Sequence, residues 1–161
     1  MSLQRRADPL RQIAARLALP TLVQVAKQPG IGDAWRLTIQ YHDALHPDQV
    51  ATVAFRQGAG GSAKVTLHYR RADDKPFMLT PHIPLERCRE FALALRALKF
   101  DTLDDMPDLP WFGADLWLVE RASGGFHHDL VLAPDRATGV YANIVSSVHL
   151  YLEEALRAIR P

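Results

Sequence analysis

The sequence predicts an α+β fold: an antiparallel sheet of five to six strands with helices packed on one face. Three observations carry that expectation. Strict alternation of apolar and polar residues runs through much of the segment 35–70. A helical apolar period marks 85–98 and 140–159. The order is helix, three or four strands, helix, two strands, helix, without the regular βαβ alternation of parallel sheets.

At 161 residues the chain predicts one domain, over 4–161. Met1-Ser2-Leu3 reads as an expression leader. The natural start would then lie elsewhere, and a targeting segment upstream of Gln4 is compatible with the sequence. Apolar residues at 48% and charged residues at 23% give globular composition.

The first element is a helix from about Asp8 to Leu19, with Asp8 as N-cap and Pro9 opening the first turn. Leu10, Ile13, Ala14 and Leu17 form its apolar stripe. Arg5, Arg6, Arg11 and Arg16 make the segment basic. Pro20 ends it, and Pro29-Gly30-Ile31-Gly32 forms a turn.

Three strands follow. Trp35, Leu37, Ile39 and Tyr41 alternate with Arg36, Thr38 and Gln40. Val53 and Phe55 alternate with Thr52 and Arg56, and Val65, Leu67 and Tyr69 with Lys64, Thr66, His68 and Arg70. One face packs and the other is wet. Gly58 to Gly61 closes a hairpin, and Phe77 to Thr80 forms a short fourth strand.

A helix starts at Pro84 and runs to about Leu98, with Leu85, Cys88, Phe91, Leu95 and Leu98 as its buried stripe. Cys88 is then a small core residue. The loop from Asp101 to Pro110 is rich in Asp and Pro and reads as a solvated turn. After it come two strands, Trp117 to Glu120 and Phe126 to Leu132, joined through Ser123-Gly124. The last helix spans about Val140 to Ile159, on an apolar face of Tyr141, Ile144, Val145, Val148, Leu152, Ala155 and Ile159.

Several functional classes lose support at this level. The net charge of +1 gives no reason to expect nucleic acid or an acidic membrane. The basic residues on the wet sheet face lack interleaved aromatics for base stacking. No run approaches the roughly 18 apolar residues of a membrane span. One cysteine permits no intramolecular disulfide and no cysteine zinc site, which mildly favours the cytoplasm. No cofactor is implied: Gly58 to Gly61 leads into a strand and lacks the phosphate-loop pattern. His42 and His46 have metal-ligand spacing for a helix, but Pro47 places them in a turn.

The hairpin is where chemistry could reside. With Ser123-Gly124 as a two-residue turn, Glu120 opposes His127 and Asp129 follows on the same face. Leu118, Glu120, His127, Asp129 and Val131 share that face. Trp117, Val119, Phe126, His128, Leu130 and Leu132 share the other. A carboxylate beside an imidazole can orient it for acid–base work, and it can equally fix a sheet register. Glu120, His127 and Asp129 are the candidate site. His128, beside Trp117 and Phe126, reads as a core or rim histidine.

The motif Trp117-Leu-Val-Glu120, Gly124-Gly125, Phe126-His127 and Pro134 resembles an uncharacterised group of bacterial proteins. The likeness covers roughly residues 91 to 159. It departs from the group's pattern at Gly113-Ala114, where an Asp-Gly turn is expected. It implies the hairpin-and-helix arrangement and a recurring unit of Trp117, Glu120 and His127, and brings no established activity. The sequence therefore points to a non-catalytic domain that binds a protein partner or ligand through its sheet. The competing expectation is a small hydrolase or metal-assisted enzyme using Glu120, His127 and Asp129. A third is a secreted or membrane-associated accessory protein. Oligomeric state is open.

Overall fold

A computed structural model describes residues 5–43, 45–71 and 73–156. One six-stranded antiparallel sheet organises them. Its strands are β1 (Ile31–Gln40), β2 (Gln49–Arg56), β3 (Ser62–Arg70), β4 (Pro76–Leu79), β5 (Leu116–Ser123) and β6 (Phe126–Leu132). Their spatial order is β4-β3-β2-β1-β5-β6, so β2 and β1 meet at the centre, β5 lies next to the edge, and β4 and β6 form the two edges. The helices are α1 (Ala7–Arg16), α2 (Leu22–Ala26), α3 (Leu85–Ala97) and α4 (Gly139–Tyr151). The α+β class expected from the sequence is the class observed. The expected leader residues 1–3 and Ile159 lie outside the described residues.

Two helices cover the face that the sequence marked as apolar. Trp35 of β1 packs against Phe91 of α3, with ring centroids 5.5 Å apart, and against Phe100, at 5.2 Å. Cys88, Leu95, Ile144 and Val148 from α3 and α4 join this core. Burial pushes the Cys88 thiol pKa up, consistent with a core role.

The opposite face departs from expectation. Ala34, next to Trp35 in β1, faces the other way and packs with Leu22, Val25 and Ala26 of α2. Val50 of β2 meets Ile13 and Ala14 of α1. Arg36, Thr38 and Thr52, read as wet from their polarity, are buried. Helices thus lie on both faces: the long α3 and α4 on one, the N-terminal α1 and α2 on the other.

Helix α1 is shorter than expected. Asp8 sits in its first turn rather than capping it, and Ala18 takes a left-handed φ of 57° that ends the element after the Leu17 cap. Helix α2 is nucleated by a capping box. The Thr21 side chain accepts from the Gln24 backbone N–H, and the Gln24 side chain accepts from that of Thr21.

Helix α4 stops at Tyr151, and Glu153–Leu156 continues as a 3-10 turn. Tertiary contacts hold this end. Arg87 of α3 donates from Nε to the Tyr151 carbonyl at 3.1 Å and pairs with Glu154, while buried Gln49 donates to the Ala155 carbonyl at 2.9 Å.

Candidate functional site

The β5–β6 hairpin turns through Gly124-Gly125, one residue later than the sequence suggested, so Ser123 pairs with Phe126. Gly124 has φ 56°, the left-handed value that two-residue hairpin turns place on glycine. Moving the turn by one residue slides each pair by two. Glu120 now opposes Asp129, and Ala122 opposes His127. Because strand parity repeats every two residues, both sets of faces survive. Glu120, His127 and Asp129 remain together, as expected.

Their surroundings are set by the N-terminal segment and by β1. Glu120 is 6% exposed and Asp129 5%. His127 is half-buried, and its Nε2 lies 3.1 Å from Glu120 Oε1. Arg36 stands directly opposite Glu120 across β1 and β5. Its Nε donates to Thr52 Oγ1 at 3.0 Å and its Nη1 to the Pro20 carbonyl at 2.8 Å. Burial lowers the Arg36 pKa, and the charge of Glu120 pulls it back up.

Asp129 is claimed from the other side. Arg5 Nη2 lies 2.8 Å from Asp129 Oδ1, and Arg11 of α1 pairs with Asp129 Oδ2. Arg11 also holds Asp8 at 3.1 Å. The cluster is therefore five charges and an imidazole. Arg5, Arg11 and Arg36 outnumber Glu120 and Asp129 by one charge, with His127 bridging toward the surface.

Beside it opens a cleft of about 450 Å³, lined in part by Arg5, Asp104, Asp105, His127 and Asp129. Each of Glu120, His127 and Asp129 offers a ligand atom within 4.8 Å of the others. A divalent cation there would have to compete with two guanidinium groups for Asp129. General-base work by His127 would use Glu120 as the orienting carboxylate.

The remaining sequence candidates fall elsewhere. His128 lies on the opposite face, with Nε2 donating to the Leu103 carbonyl at 2.8 Å and its ring edge-on to Phe100. His42 pairs through Nδ1 with Asp115 at 2.6 Å, while His46 faces Asp43 at 3.5 Å, so the two histidines have separate partners. The bond to Asp115 raises the His42 pKa.

The 101–110 loop is not a freely solvated turn. Met106 N donates to the Val131 carbonyl at 2.9 Å, and Asp105 Oδ1 accepts from Val131 N at 2.8 Å, so the loop docks on the β6 edge. Sequence reasoning noted the basic N-terminus but missed its role as counter-charge. It also passed over Trp111 and Phe112, which stand 77% and 90% exposed. Two large aromatics side by side in a Pro- and Asp-rich loop were the available signal.

Fold and cluster define an α+β protein with a charge-compensated hairpin at the sheet edge. No protein-family model matches the chain, and no curated protein matches it.

Proposed function

We propose that this chain is a non-catalytic binding domain that recognises a protein partner. One observation carries the non-catalytic part: the carboxylates of the candidate site are already engaged. Glu120 faces His127 and Arg36, and Asp129 faces Arg5 and Arg11. A buried charge network of this kind holds the N-terminal segment on the sheet. Recognition through the sheet faces is disfavoured by the helices on both of them, which turns attention to the edge and its loop. The resemblance to the bacterial group carries no activity to this reading. Of the unit that it implies, Glu120 and His127 are hydrogen-bonded, while Trp117 is buried on the other face.

The test is native mass spectrometry of the tagged chain recovered at native abundance from its own cells. The expected result is a discrete complex with one protein species. A chain recovered only alone, together with ester or phosphoester turnover that His127→Gln abolishes, would overturn the proposal.

A metal-assisted enzyme is the second reading, favoured by the convergence of the three ligand atoms. Zinc titration of metal-free protein separates the two. Sub-micromolar binding lost in His127→Ala would favour the enzyme; heat traces identical to buffer would remove it.

A further inference from the structure

We infer that the loop 103–115 is a docking element whose tip, Trp111-Phe112, inserts into an apolar pocket rimmed by lysine and arginine on a partner protein. This rests on the protein-binding reading above and adds the surface and the chemistry it selects.

The loop is both long and ordered. The loop joins a 3-10 turn at Phe100–Thr102 to β5 without secondary structure of its own. Loops beyond roughly 12 residues of that kind are uncommon and usually functional. This one is fastened along its course. Tyr141 Oη donates to the Asp104 carbonyl at 2.7 Å, and the Met106 rung to Val131 follows. Arg6 then holds the base of the tip, donating from Nη1 to the Leu109 carbonyl at 3.3 Å and from Nη2 to the Pro110 carbonyl at 2.6 Å. The same guanidinium lies 4.1 Å from the centre of the Trp111 ring.

That fastening presents two aromatics to the outside. Arg6 covers one side of Trp111, yet 77% of the residue stays exposed, and Phe112 stays 90% exposed. Nothing in core packing explains holding two aromatics outward. Pre-organised aromatics lose little freedom on binding and dominate interface energetics.

Charge selects the partner. Residues 101–115 contain Asp101, Asp104, Asp105, Asp108 and Asp115 and no lysine or arginine. Asp101 is paired with Arg121 at 2.8 Å and Asp115 with His42. Among the described residues Asp104 and Asp108 have no ion-pair partner. With Arg6 on the Trp111 ring set against Asp104 and Asp108, the loop that carries the aromatic tip stays acidic by one charge. It complements an apolar pocket with a cationic rim.

The experiment is photocrosslinking in the native cells, with a benzophenone amino acid at position 112 and, as control, at Leu93, an exposed site on α3. The expected result is one discrete adduct from position 112 and none from 93, with the partner's crosslinked peptide flanked by lysine or arginine. Trp111→Ser should weaken the wild-type complex roughly tenfold or more. Asp104→Asn with Asp108→Asn should flatten its salt dependence, and circular dichroism should show both variants folded. Three outcomes each overturn the inference: an adduct of the chain with itself, equal labelling from both positions, or a complex indifferent to Trp111→Ser. Absence of any complex with the wild-type chain would instead sink the binding-domain reading.

Discussion

Glu120 on β5 stands directly opposite Asp129 on β6, two buried carboxylates on one face of adjacent strands. Like charges so placed repel. They coexist because each has its own partners: Glu120 the His127 imidazole and, on the neighbouring strand, the charge of Arg36, and Asp129 the guanidinium groups of Arg5 and Arg11. Hairpin pairing and N-terminal docking are thereby coupled.

That coupling has an asymmetric mutational signature. In Asp129→Asn Arg11 keeps Asp8 and Arg5 keeps Asp105 at 3.9 Å, and both arginines are partly exposed and can recover water, so the loss should be about 1–3 kcal/mol. Removing both arginines strands a carboxylate whose side chain is only 3% exposed, at a cost of about 3–5 kcal/mol. Urea unfolding measures both. A double arginine variant more stable than Asp129→Asn would refute the ordering.

The Arg36–Glu120 pair makes a second prediction. Arg36 and Glu120 share a rung without an ion-pair contact, and Arg36 keeps its bonds to Thr52 and Pro20, so Glu120→Gln, which removes a nearby charge and alters the bond to His127, should destabilise by about 1–3 kcal/mol. Arg36→Met combined with Glu120→Leu replaces both charges with apolar volume and should recover most of that loss. A double-mutant cycle reads the coupling directly. Additive losses would mean that the two residues do not interact.

The turn can be tested residue by residue. Gly124→Ala places a side chain at φ 56° and should cost about 1 kcal/mol. Gly125 has an ordinary φ and nothing within 4 Å of an added Cβ, so Gly125→Ala should be nearly silent. Equal costs would contradict the Gly124-Gly125 turn.

Two histidines give opposed pH effects. Burial and the nearby Arg36 hold the His68 pKa below its ordinary 6.5. The unfolded chain then takes the proton first, so this contribution is whole above 6.5 and is lost as pH falls below that value through the folded pKa. His42 is raised above 6.5 by Asp115, so its contribution is complete below that value and disappears as pH rises through the folded pKa. His68→Gln should lessen the drop in urea midpoint between pH 7 and 5. Asp115→Asn should return His42 toward 6.5 in an NMR titration. An unchanged His42 would remove Asp115 as the cause.

The faces of the hairpin were legible because parity is insensitive to a one-residue error in the turn. Trp117 with His128, and Glu120 with His127 and Asp129, sort correctly under either turn. The burial of Arg36 was not legible. Arg-Thr-Gln alternation looks solvated, and its reversal depends on Pro20 and Glu120, which are distant in sequence. Helix α2 is too short to show a period, although Thr21-x-x-Gln24 carried its capping signature. The break after Tyr151 depends on Arg87 and Gln49 reaching it from other elements. Trp111 and Phe112 were visible as residues, but their exposure is a property of how Arg6 holds the loop beneath them.

The rung between Met106 and Val131 has a consequence for the fate of the chain. A terminal strand with free amide groups is a template for unlimited stacking of like chains. Here the loop occupies that position on β6 at Val131. A single proteolytic nick that released Met106 would bare the strand without unfolding the sheet. The segment that displays the aromatic tip therefore also covers a position of the β6 edge, and cutting it would alter both.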